Sequence, residues 1–327
     1  MAPERLKVEA RLRLPRGAGS PTLAGVTATR ITLDSLETAG VTADELAGLA
    51  RQARGGASGS HGYGYEDHFA VACLIAASVA WFERGEDWVV TLGHPCCWVD
   101  DVVVERPDVE EYAQLKTSPD ETWGREDGRL HRQFVRQAEV CHARGVGQFA
   151  LSIVTPHEHR REHFSAAMPA ELRDSTTAVL FRDRPLGWDR ASPVANDLAE
   201  LCADAPDPSA LELLLRAMYN AYHWIRRRGE ALTSTRFTAA LAADEHVPLR
   251  SDATVADAAL WEVVSAGLAA SLPGLRLRVT RGFVFYEYLE DERGTVARAD
   301  SERTVRFLTR LAARMPTTME EFHQELP

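Results

Sequence analysis

The stretch from Trp98 to Ser118 constrains the fold of this chain more than any other. Val99-Asp100-Asp101-Val102-Val103-Val104 is followed, after a polar break from Glu105 to Glu110, by Glu111-Tyr112-Ala113-Gln114-Leu115-Lys116-Thr117. The β-branched run and the alternation after it predict two short strands, close enough in sequence to pair antiparallel. Strand side chains alternate between faces, so Gln114 and Lys116 point the same way, and the pairing brings one of the two aspartates beside them. Which one depends on the register, and a slip of one residue inverts the answer. An acidic pair of this kind holds a divalent cation through oxygen ligands, while an ammonium stabilises charge forming on a phosphate.

Lysine usage singles out the same place. Of 37 Lys plus Arg, only Lys7 and Lys116 are lysines. Arginine is bulkier and permanently charged, so a lysine in such a chain points to a role the guanidinium does not fill. The formal net charge of −11 runs against unaided nucleic-acid binding, and contact with phosphates then needs a local basic patch, a metal ion or a partner.

At 327 residues the chain suits two domains. Met1 to Arg16 has no apolar signal region, and the apolar run from Phe69 to Phe82 is too short to span a bilayer and reads as a buried helix. The odd set Cys73, Cys96, Cys97, Cys141 and Cys202 argues for a reducing cytoplasm. These features lead to an expectation of a cytoplasmic protein that makes no membrane contact.

The first 60 residues read as an N-terminal extension, with a strand over Lys7–Leu14, a capping box at Thr42 to Glu45 and a Gly/Ser loop over Gly55–Gly64. From 61 to 183 the order is helix (Glu66–Phe82), strands (Trp88–Leu92, Val99–Val104, Glu111–Thr117), amphipathic helix (Arg129–Arg144), strand (Phe149–Val154), polar helix (His157–Arg173) and strand (Thr177–Phe181). Three adjacent strands followed by a crossover helix imply an α/β mixed sheet flanked by helices. Residues 184–192 read as a linker. Residues 193–327 are mostly helical with a β-hairpin at Leu275–Val279 and Phe283–Leu289, an arrangement that also fits a winged helix.

Gly62-Tyr63-Gly64-Tyr65-Glu66 at a helix start, Asp100-Asp101 on a strand and Gln114-Leu115-Lys116 on the next resemble the PD-(D/E)XK nuclease superfamily. Within it they look most like the double-stranded-DNA endonuclease domains of bacterial anti-phage defence effectors, which join nucleotide-sensing modules or partner ATPases. Thr117, Ser118 and Trp123 match the small polar residue and the Trp that follow Gln-x-Lys in that group, and the likeness covers about residues 60–182. The resemblance implies a restriction-endonuclease-like sheet and metal-dependent hydrolysis of DNA. Asp100 or Asp101 would be the metal-binding acid, Gln114 the ligand where Glu is usual, Lys116 the catalytic lysine, and Glu66 a further catalytic and metal-binding carboxylate.

Mg²⁺ or Mn²⁺ is the expected cofactor and double-stranded DNA the expected partner. The acidity of the chain suggests a nuclease gated by homo-oligomerisation or by a defence partner, an ATPase or sensor. Arg125, Arg129, Arg132 and Arg136 are the candidate phosphate-facing row. Gln114 is the departure from the commonest pattern, because a neutral amide binds a hard cation less well than a carboxylate does. A catalytically degenerate scaffold or DNA-binding subunit is therefore the alternative. His159-Arg-Arg-Glu162-His163 also fits the inverted zinc-protease pattern. Cys96-Cys97 and Cys141-His142 lack zinc-site spacing, and Gly145-Val146-Gly147 precedes a strand instead of following one.

Overall fold

The computed structural model describes residues 31–56, 63–118, 121–124, 128–182, 193–203, 208–244, 247–251, 254–289 and 292–327. The strand expected over Lys7–Leu14, the linker 184–192 and Arg125 lie outside the described residues. The chain forms two compact units, one comprising the described residues up to Ala70 with Thr91–Asp197, the other Val71–Val90 with Leu198–Pro327.

In chain order the elements are α1 (Leu33–Thr38), α2 (Ala43–Gly56), α3 (Tyr63–Arg84), β1 (Val89–Leu92), β2 (Val102–Glu105), β3 (Glu110–Leu115), α4 (Arg129–Ala143), β4 (Phe149–Thr155), α5 (Glu158–Ala166) and β5 (Thr176–Leu180). Then follow α6 (Pro193–Leu201), α7 (Pro208–Arg227), β6 (Leu232–Thr233), α8 (Ser234–Ala242), α9 (Ala258–Ser271), β7 (Leu275–Thr280), β8 (Phe283–Tyr288), β9 (Glu292–Arg298), α10 (Glu302–Ala313) and α11 (Met319–Glu325).

The larger sheet is mixed, with strand order β5-β4-β3-β2-β1-β6. β2 pairs antiparallel with β3, from Val102 opposite Ala113 to Glu105 opposite Glu110, while β3, β4 and β5 run parallel. α4 and α5 supply the crossovers that parallel neighbours need. The β2 strand is buried along its whole length and β3 nearly so, which is why Val-rich and aromatic residues hold these central positions. The α4 helix buries Leu130, His131, Phe134, Gln137, Val140 and Cys141, one helical face, into a core shared with Tyr112, Leu151, Ile153 and Phe164. Each such large apolar side chain contributes about 1.5–3 kcal/mol on full burial.

Glu110, buried in this unit, is paired. Both Glu110 oxygens accept from Arg144, at 2.8 and 2.9 Å, and the Tyr112 hydroxyl donates to Glu110. The capping box at the head of α2 forms in full: Glu45 accepts from the Thr42 N–H at 2.8 Å, and Thr42 Oγ1 accepts from the Glu45 N–H at 3.3 Å.

In the other unit, β7, β8 and β9 form an antiparallel sheet packed on α9, α10 and α11 around Val264, Leu268, Val284, Phe307 and Phe322. The turn between β7 and β8 places Arg281 and Gly282 at φ 49° and 79°, the two left-handed positions of a two-residue hairpin. A Cβ on Gly282 would stand 1.9 Å from Ser251 Oγ, so glycine is required there on two counts. The β6 strand pairs with the amino-terminal half of β1, Val89 opposite Thr233.

Several boundaries differ from the sequence reading. The helix expected over His157–Arg173 stops at Ala166 and is followed by a 3₁₀ turn at Ala170–Leu172. Pro169 explains the stop, because its ring and missing N–H cannot continue an α-helix. Gly55 and Gly56 belong to α2, and Tyr63 and Gly64 to α3, so both ends of the expected loop are helical. The expected hairpin gains a third strand, β9, which carries Gly294 and alternates poorly; pairing with β8 holds it.

Candidate active site

The register of the β2–β3 pair decides between the two aspartates. Val102 faces Ala113, so the next position outward sets Asp101 opposite Gln114. Asp101 Oδ2 accepts from Gln114 Nε2 and from the Leu115 N–H at 2.6 Å. Asp100 turns elsewhere, its Oδ1 accepting from Gln52 Nε2 of α2 at 3.0 Å. Gln52 Oε1 in turn accepts from Gln133 Nε2 of α4 at 3.3 Å. The bonds at Asp101 point Nε2 of Gln114 toward the carboxylate, and Gln114 Oε1 is left enclosed without a donor.

Lys116 lies one residue beyond β3. Its backbone N–H continues the parallel ladder to Val154 O at 2.8 Å, and its Nζ is 3.1 Å from Glu121 Oε1. Thr117 and Ser118 are exposed. Trp123 is buried, donating its indole N–H to Phe164 O at 2.8 Å and meeting the Phe134 and Phe164 rings edge-on. The site thus stands at the carboxyl ends of parallel strands, where ligands of open α/β sheets bind.

Burial, then the Asp101 charge, push the Asp100 carboxyl up to about 7, against the Gln52 hydrogen bond, which lowers it. Burial also raises Asp101, opposed by the Leu115 N–H, the Lys116 charge and the Gln114 amide. Beside them, His94 donates its backbone N–H to Asp100 O at 3.0 Å, and its Nδ1 accepts from the Cys96 N–H at 3.2 Å. Burial and the Arg144 charge lower His94 to about 4, so its ring is neutral at pH 7.

Other sequence candidates fall outside this cluster. Among the described residues no three His, Cys, Asp or Glu side chains are grouped to hold a metal ion, so Glu66, in the first turn of α3, does not complete such a set with the aspartates. The same holds for His159, Glu162 and His163, all exposed on α5. None of the five cysteines forms a disulfide, and four of them are buried. Of the arginine row, Arg129 and Arg132 are exposed, whereas Arg136 bonds Glu45 at 2.8 Å and Glu139 at 3.0 Å and lies over Trp98. Gln52, Gln133 and Glu121 were missed by the sequence reading. The only signal for Glu121 was its nearness to Lys116, and none pointed to the glutamines.

The chain matches no protein-family model, no curated protein and no solved structure.

Proposed function

We propose that the chain is a metal-dependent endonuclease that hydrolyses DNA phosphodiester bonds. It would act in the cytoplasm as an effector of bacterial anti-phage defence, gated by a partner or by oligomerisation. The observation that carries this reading is the cross-strand pair Asp101 and Gln114 with Lys116 two residues further on, at the carboxyl edge of a mixed sheet. The likeness of the three sequence motifs to the defence endonucleases supports the substrate and the setting. Among the described residues no helix is long and apolar enough to cross a membrane.

The donor set fits a hard divalent cation, Mg²⁺ or Mn²⁺. Gln114 Oε1 is an enclosed oxygen with no donor among the described residues, and burial raises both neighbouring carboxyls, Asp100 and Asp101. Asp101, Asp100 and Gln114 would hold such an ion, which would supply charge to polarise a phosphate and lower the pKa of a bound water. Asp101 is oriented by its two donors at Oδ2, which leaves Oδ1 for a ligand. Asp100 is oriented by Gln52. The Lys116 ammonium, steadied by Glu121, stabilises negative charge that accumulates on the phosphate in the transition state.

Plasmid incubated with the purified protein and Mg²⁺ tests the reading. Nicking or degradation is expected, and Lys116→Ala is expected to abolish it; cutting that survives the substitution removes Lys116 from the site. That no three His, Cys, Asp or Glu side chains are grouped to hold a metal ion among the described residues favours the second reading, a scaffold that binds DNA without cutting it. Duplex binding with no cleavage in Mg²⁺ or Mn²⁺ is its signature.

A further inference from the structure

Arg160 lies in the first turn of α5 and is only 8% exposed. Its Nε and Nη2 are enclosed and meet no acceptor among the described residues. Its guanidinium carbon stands 5.1 Å from the centroid of the Phe164 ring. An aromatic face offsets part of the lost hydration of a cation, but it gives the in-plane N–H groups nothing to bind. Arg144, in the same unit, shows the contrast, since both Glu110 oxygens meet it. A buried guanidinium without a counter-charge is unfavourable until an anion reaches it.

The position of Arg160 indicates which anion. The α5 helix follows directly on β4, and the β4 carbonyl of Val154 also receives the Lys116 N–H. The segment beyond Lys116 returns to α5, where Trp123 bonds Phe164 O and packs on the ring that Arg160 covers. His157 makes no side-chain cap at the start of α5, so first-turn N–H groups add positive potential at this end. The acid of that turn, Glu158, is engaged by Arg161 at 2.8 Å.

We infer that Arg160 is a phosphate-binding residue at the sheet edge that carries Lys116, and, resting on the nuclease reading, that it holds a backbone phosphate of the DNA strand. The planar fork of a guanidinium matches two phosphate oxygens.

The test compares wild type, Arg160→Met and Arg160→Lys, all without divalent metal. Thermal unfolding is followed in inorganic phosphate against chloride at equal ionic strength, and binding of a short DNA duplex is measured in parallel. Wild type is expected to gain about 3 °C at a phosphate concentration ten times its dissociation constant. Arg160→Met is expected to melt no lower than wild type in chloride, to gain nothing from phosphate and to bind the duplex at least fivefold more weakly. Arg160→Lys keeps the charge without the fork and should fall between. No phosphate-dependent shift in wild type, or an equal shift in Arg160→Met, overturns the site. A phosphate shift confined to wild type with equal duplex binding by all three proteins overturns the backbone assignment and makes free phosphate the ligand. None of these readouts requires cleavage, so loss of the nuclease reading and loss of this site are distinguishable.

Discussion

Asp101 and Gln114 face each other at the open end of the β2–β3 pair, and the carboxylate accepts the Gln114 amide together with the Leu115 N–H at 2.6 Å. This contact orients the amide, leaves Gln114 Oε1 enclosed without a donor, and sets Lys116 two residues further along the same strand direction.

Replacing that amide by an acid separates a metal site from a structural pair. Gln114→Glu sets two carboxylates against each other, and in chelator the variant should melt roughly 5 °C below wild type, corresponding to about 2 kcal/mol. Mg²⁺ should restore most of the loss, because the new carboxylate is the better ligand for a hard cation. Melting curves with and without Mg²⁺ provide the check, and a deficit that Mg²⁺ leaves untouched speaks against a cation between these residues.

The pH dependence of stability should show two opposed contributions. Asp100 ionises near 3.8 in the unfolded chain but keeps its proton to about 7 when folded, so stability falls as pH rises through that window. The cost is on the order of 4 kcal/mol. His94 takes up a proton near 6.5 when unfolded and only near 4 when folded, so stability falls as pH drops through its window, by on the order of 3 kcal/mol. Asp100→Asn keeps an acceptor for Gln52 and removes the first contribution. Urea unfolding in chelator should find it more stable than wild type at pH 8 and increasingly stable from pH 4 to 6.5. A variant weaker than wild type at pH 8 contradicts the assignment.

Arg144 and Glu110 form the opposite case to Arg160. Either Glu110→Gln or Arg144→Met leaves one member of a buried ion pair alone and should cost about 3–5 kcal/mol in denaturant unfolding. The double variant Glu110→Leu with Arg144→Met should recover much of that loss, since both desolvation costs disappear together. Additive single losses would mean that the two groups are not coupled.

The arginine row should divide into two behaviours. Arg136→Ala breaks the bonds to Glu45 and Glu139 and should lower stability by about 1 kcal/mol. Arg132→Ala is exposed and should leave stability unchanged, while weakening duplex binding and reducing its salt slope by about one. An unchanged salt slope would place this helix face away from the phosphates.

Much of the fold was legible because its signals are local. The Val-rich β2, the amphipathic α4 and the Thr42–Glu45 capping box each depend on residues within a few positions of one another. Boundaries were missed where one residue overrides a pattern, as Pro169 does after α5, or where an element exists through its partner, as β9 does through β8.

By itself the sequence determined which chemical groups stand near one another on two adjoining strands: an acid pair, an amide and a rare lysine. Only the tertiary structure decided which acid meets the amide, since strand register is set by packing on both faces and not by side-chain type. It also brought in Gln52, 48 residues away in sequence from the Asp100 it bonds, and left Arg160 Nε and Nη2 enclosed without an acceptor among the described residues. Contacts of that kind leave no periodicity in the chain, because they arise between elements whose positions depend on the whole core.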